Sequence, residues 1–161
     1  MTTVKLRRVK QLVLACGLLL SSGAAPALAQ GGAGLRAGAS LDPDQFYFGG
    51  HVEIGPLLEQ LWFRPNLEIG IGSNRTVAAF NGEFTYWFPM ARNDWSVYVG
   101  AGPALNVIRF GEDRFGNSDT DAEGGFNILL GLAHDDGLFT ELKVGALRSP
   151  ELKFGVGYTF R

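Results

Sequence analysis

Cysteine is almost missing from this chain. Cys16 is the only one in 161 residues, and it lies in an N-terminal stretch with the marks of an export signal. The exported chain therefore has no thiol and no disulfide framework. Histidine is nearly as scarce: His51 and His134 are the only two, which excludes a histidine-rich metal centre. There is no H-E-x-x-H pattern, no G-x-S-x-G elbow and no P-loop, so the common routes to metal-assisted hydrolysis, serine chemistry and phosphate binding are closed. Past Gln30 no segment keeps a 3.6-residue apolar period, which argues against helical architecture. Basic residues are scattered rather than clustered, and acids outnumber them, so a nucleic-acid partner is not expected.

The first residues are basic and acid-free, "MTTVKLRRVK", and are followed by the apolar, small-residue run "QLVLACGLLLSSGAAP" and then "ALAQ". A positive start, an apolar core of roughly ten residues and a small-x-small site describe a secretory signal peptide, too short to span a bilayer. Cleavage is expected after Ala29, which divides the chain into a signal, 1–29, and a single mature domain, 30–161. The competing reading is a lipoprotein signal with Cys16 as the modified residue. Only Gln11 to Ala15 would then separate the charges from the cut, a shorter core than such signals use. Loss of Lys5, Arg7, Arg8 and Lys10 takes the 14 basic residues to 10 against 16 acids, a net charge of −6.

What the mature chain has in abundance is alternation. About eight segments of period two are separated by turn chemistry such as "LDPDQ", "GSNRT", "MARND", "HDDG" and "RSPE". The predicted strands are 33–40, 46–56, 61–72, 76–88, 95–109, 124–133, 138–147 and 151–160. One face of these strands is uncharged throughout and carries residues such as Leu35, Phe46, Phe48, Ile69, Phe80, Val99, Leu130, Val144, Phe154 and Val156. The other carries Arg36, His51, Glu53, Arg64, Glu68, Glu83, Glu141, Lys143 and Lys153, with Asn66, Asn81, Tyr98, Asn106, Asn127, Thr159 and many glycines. Its formal charges cancel, Arg36, Arg64, Lys143 and Lys153 against Glu53, Glu68, Glu83 and Glu141.

A soluble sandwich or lipocalin-like barrel would bury the apolar face; a transmembrane barrel would turn it to lipid and enclose the charged one. The apolar segments are about nine to eleven residues long, the length of a tilted strand crossing the hydrocarbon layer. The strand count is even, and small residues dominate the polar face, as a narrow lumen requires. If the chain starts in the periplasm, then Trp62, Phe63, Tyr86, Phe88, Trp95, Tyr158 and Phe160 gather near that end as an interfacial girdle. The fold class expected is therefore all-β: an eight-stranded antiparallel up-and-down transmembrane β-barrel behind a signal peptide.

The signal, the alternating strands and the closing "KFGVGYTFR" resemble the small Gram-negative outer-membrane barrels of the outer membrane protein A and X type. Phe154, Val156, Tyr158 and Phe160 resemble the assembly signal at the end of such proteins, and Arg161 follows it. The resemblance implies an outer-membrane location among lipid and lipopolysaccharide and recognition by the barrel assembly machinery through the last strand, and it transfers no catalytic activity; export through the Sec pathway is expected from the signal, and no cofactor is expected.

A barrel of this size is filled by its own side chains, so the charged residues are expected to form a packed network in a monomer, with a structural or surface-interaction role. The alternatives are a narrow porin-like channel for ions or small solutes and a lipid A-modifying enzyme. The latter wants a nucleophile beside a general base, whereas His51 is followed by Val52 and Glu53. His51 itself is read as a hydrogen-bonded member of the network. The third outer loop, Gly111 to Gly125, is acidic, and Asp119, Asp121 and Glu123 at alternate positions are a weak candidate for holding a divalent cation.

Overall fold

The computed structural model describes residues 31–161, apart from residues 43, 74, 92, 111–119, 148 and 150 and the side chain of Phe110. The signal segment lies outside these residues. Among the described residues nine strands follow in order: β1 Ala33–Leu41, β2 Gln45–Val52, β3 Ile54–Leu58, β4 Leu61–Ile71, β5 Arg75–Pro89, β6 Trp95–Phe110, β7 Thr120–His134, β8 Leu138–Leu147 and β9 Leu152–Phe160. Both β2 and β3 pair with β4, so they are two halves of one stave. Each stave runs antiparallel to its neighbours in sequence, and β9 returns to β1 with Ala33 opposite Phe160 and Leu41 opposite Leu152. The result is a closed eight-stranded barrel. Closure leaves no sheet edge, which is what allows strands to stand in a medium that offers no hydrogen bonds.

Burial runs opposite to that of a soluble protein. Leu35 is 64% exposed and Phe154 56%, while Arg64 is 1% exposed and Glu83 0%. The two sets lie at alternate positions of the same strands, so the pleat sends one outward and the other into the bore. The strand ends that flank 59–60, 90–94 and 135–137 lie with the two ends of the described chain; the other strand ends lie at the far end. Tyr86 with Phe88 and Tyr158 with Phe160 form ring pairs at the termini end, 5.0 and 5.1 Å between centroids. Trp62 differs from the girdle expectation. It has the inward parity of Arg64 and Asn66, and its indole lies against Gly55, where an added Cβ would come within 3.2 Å of the ring. Gly55 holds φ at 150°, a conformation that L side chains rarely adopt.

Two strand boundaries move. The expected strand 46–56 is interrupted at Glu53, whose N–H donates to the Gly32 carbonyl at 2.6 Å, and the register shifts between Ile54 and Leu58. Pro56, with no N–H to give to a ladder, explains why the pairing does not run straight on. The strand expected to start at 124 begins at Thr120, so Asp121 and Glu123 belong to β7, opposite Ile108 and Asn106, rather than to a loop. Their polar side chains hid the strand, because the β6–β7 hairpin carries its alternation beyond the apolar belt.

The turn after β7 is held by its own polar groups. The Leu138 N–H donates to Asp136 Oδ1 at 3.1 Å, and the His134 ring approaches the same oxygen at 2.8 Å. Both hold the Asp136 carboxyl below the usual carboxylate range.

Candidate functional site

Among the described residues, the interior of the barrel is where polar and charged side chains concentrate. Every residue of the charged face lies there: Arg36, His51, Glu53, Arg64, Glu68, Glu83, Glu141, Lys143 and Lys153 are each less than a tenth exposed. Six staves contribute to that set. Lys143 of β8 is the hub, with Nζ 2.6 Å from Glu83, 3.1 Å from Glu68 and 3.7 Å from Glu141. Glu68 also receives Lys153 at 2.8 Å and Arg36 at 3.4 Å. Glu141 receives Arg36 at 3.2 Å, Arg64 at 3.3 Å and the Tyr98 hydroxyl at 2.9 Å. Each of these buried charged groups faces an opposite partner at close range, as removal from water requires.

A row of amides continues the network. Asn127 donates to Asn81 at 2.9 Å, Asn81 to Asn66 at 2.7 Å, and Asn66 to Glu83 at 2.7 Å. Each amide therefore orients the next, ending on a carboxylate that Lys143 also holds.

Toward the termini end the filling changes to rings. Tyr98, Leu129, Ala133 and Phe139 form a buried apolar cluster, with Trp87 packed against it. Trp87 stacks on Tyr98 at 4.7 Å between centroids and donates its indole N–H to Thr85 at 3.1 Å. The Arg64 guanidinium lies between the rings of Tyr98 and Phe139, 4.9 and 4.7 Å from their centroids. Below it Glu53 links Arg64, at 3.9 Å, to Arg161, at 3.3 Å. Arg161 also sits over Trp87 at 5.7 Å.

The glycines of the inner face acquire a reason here. A Cβ on Gly131 would enter the Tyr98 ring, and one on Gly157 would enter that of Phe139, the residue across the ladder in each case. Large rings lie flat across residues that have no side chain, so wide and narrow positions complement one another around the bore.

Sequence reasoning put Tyr98 on the same face as the charged residues but did not assign the other members of the ring layer to it. Trp87, Leu129 and Phe139 were outside the polar face because pattern alone reads an aromatic or leucine as lipid-facing. Parity was the available signal: Leu129 and Phe139 alternate with Leu130 and Leu138 and share phase with Asn127 and Glu141. Arg161, which looked like a tail beyond the last aromatic, is the fifth cation facing a lumenal carboxylate.

His51 lies against Thr159, Nε2 to Oγ1 3.0 Å, and edge-on to Phe139 at 5.2 Å. This hydroxyl–imidazole pair was not foreseen. Its Nδ1 has no hydrogen-bond partner among the described residues, so no carboxylate orients the ring as a general base requires. Of the acidic trio, Asp119 lies outside the described residues, and among those residues no cluster of three metal-ligating side chains occurs.

A closed antiparallel wall with oil outside and ions inside defines the class: an eight-stranded up-and-down β-barrel of the outer-membrane type. Solved structures of that fold match the chain. The N-terminal β-barrel domain of Pseudomonas aeruginosa OprF aligns with TM-score 0.60 and 18% identity, over 81% of this chain and 100% of its own. Neisserial surface protein A aligns with TM-score 0.55 and 14% identity, over 81% of this chain and 96% of its own. No family model matches the chain, and no curated protein matches it in sequence.

Proposed function

We propose that this chain is exported through the Sec pathway, loses residues 1–29 and inserts in the outer membrane as a monomer with a structural and surface-interaction role. Inverted burial on a closed wall carries this reading. A barrel showing Leu35, Phe46 and Phe154 to its surroundings while burying four carboxylates and four cations is adapted to lipid, not water. The interior is filled by the ion-paired network, which sets the shape of the wall and leaves the outer turns as the surface that meets lipopolysaccharide. The alternating outward row Phe154, Val156, Tyr158 and Phe160 on β9 is the feature through which the assembly machinery would read the chain.

The reading is non-catalytic. Outer-membrane barrel folds are the neighbours in structure, and the hydroxyl–imidazole pair at His51 and Thr159 is enclosed by the wall and lacks an orienting acid. Fractionation tests the location: the mature protein should sediment with outer membrane, resist extraction by salt and carbonate, and migrate differently on a detergent gel before and after boiling. Recovery from the aqueous periplasmic fraction without detergent would refute it. Lipid A incubated with the purified barrel should keep its mass in a mass spectrum.

A further inference from the structure

The lumen is not uniform, and the difference has a consequence for passage along it. Around Lys143 and along the amide row the groups that meet in the bore are charged or amide-bearing, and they pair with one another. At the termini end the bore is crossed by carbon. Tyr98 is 0% exposed, Leu129 2% and Phe139 3%. Trp87 extends this layer toward the mouth, and Arg64 fills the space between two of its rings. The staves β5 to β8 supply the apolar layer, β4 supplies Arg64, and β2 supplies His51 against the edge of Phe139. Gly131 and Gly157 give the rings their seats. Outside the layer, Glu53 and Arg161 pair at the mouth with the Arg161 guanidinium over Trp87.

We infer that this aromatic layer is the seal of the barrel: the termini end is closed by a dry plate of Tyr98, Phe139, Trp87 and Leu129, latched by Arg161 on Glu53, while the rest of the lumen is lined by paired polar groups. The physical basis is that a narrow apolar constriction excludes water and therefore ions, whereas a polar stretch of the same width does not. The inference rests on the membrane-barrel reading above and adds where passage is blocked and by which side chains.

Conductance of the purified protein in a planar bilayer tests it, with boiling-dependent gel migration as the check that each variant has folded. The parent barrel should show only baseline current. Phe139→Ala, which opens the plate, should pass a steady current about tenfold above that baseline, and Trp87→Ala, which thins it and removes the ring beneath Arg161 while leaving every charged group in place, a smaller but persistent one. The doubly changed Glu53→Gln/Arg161→Gln barrel should flicker more than the parent, because the latch is gone while the plate remains. Asn127→Ala, cut from the polar half, should stay at baseline. Folded Phe139→Ala and Trp87→Ala barrels that remain at baseline would overturn the seal, as would Asn127→Ala conducting as much as they do. If Phe139→Ala does not fold, Trp87→Ala alone decides. A parent protein with no boiling-dependent shift and no insertion would instead remove the membrane reading on which the seal depends.

Discussion

Leu129 and Leu130 are neighbours in β7, yet one is 2% exposed and the other 52%. The first packs among rings in the lumen; the second stands on the outer wall beside Val99 and Leu142 of the adjacent strands. The two surfaces of this wall use the same residue under opposite rules. Outside, any apolar side chain of reasonable size serves, because lipid has no fixed shape to match. Inside, each group has a specific partner: Lys143 faces three carboxylates, Gly131 accepts the Tyr98 ring, and Asn81 joins two other amides. The lumen should therefore respond to identity and the outer wall to polarity alone.

Lys143→Met gives the largest expected effect. It keeps the length of the side chain but leaves Glu68, Glu83 and Glu141 without their shared cation, and stability measured by urea unfolding in lipid vesicles should fall by about 3–5 kcal/mol. A loss no larger than that of a conservative outer-wall change would erase the distinction between the two surfaces. Leu130→Lys reverses the rule outside: a charge on the lipid face near mid-wall should cost about 2–4 kcal/mol, while Leu130→Phe should be nearly neutral in the same assay.

Gly131→Ala adds a single methyl group inside. Because that methyl meets the Tyr98 ring, a loss of about 1–3 kcal/mol is expected, and near-neutrality would mean the rings are loosely seated. The smallest effect belongs to the turn outside the wall. Holding the Asp136 carboxyl below its usual range stabilises the folded state at neutral pH, and this contribution is lost as pH falls through the lowered folded value. Asp136→Asn should flatten the acid side of the stability curve slightly, seen by comparing urea midpoints at neutral and acid pH, and leave the network around Lys143 unaffected.

The strand pattern was legible because lipid and lumen impose a strict period of two on every stave. Arg36, Arg64, Lys143 and Lys153 could be assigned from parity to one surface with Glu53, Glu68, Glu83 and Glu141, and their equal and opposite charges already suggested enclosure. Two features were obscured. The start of β7 carries Asp121 and Glu123, and a strand that protrudes past the apolar belt no longer displays the contrast by which strands were recognised. The ring layer was obscured because Trp87, Leu129 and Phe139 are as apolar as the residues that face lipid, so hydrophobicity could not tell the inside from the outside at those positions.

By itself the sequence determined the number of staves and which of the strands' charged residues share a surface, since these follow from alternation and composition along the chain. Only the tertiary structure decided which carboxylate meets which cation, that Arg161 reaches back to Glu53, and that rings rest on the glycines of the next strand. Those contacts join residues far apart in the chain, and their pairing is fixed by the register in which β1 closes on β9, a quantity that no local stretch of sequence contains.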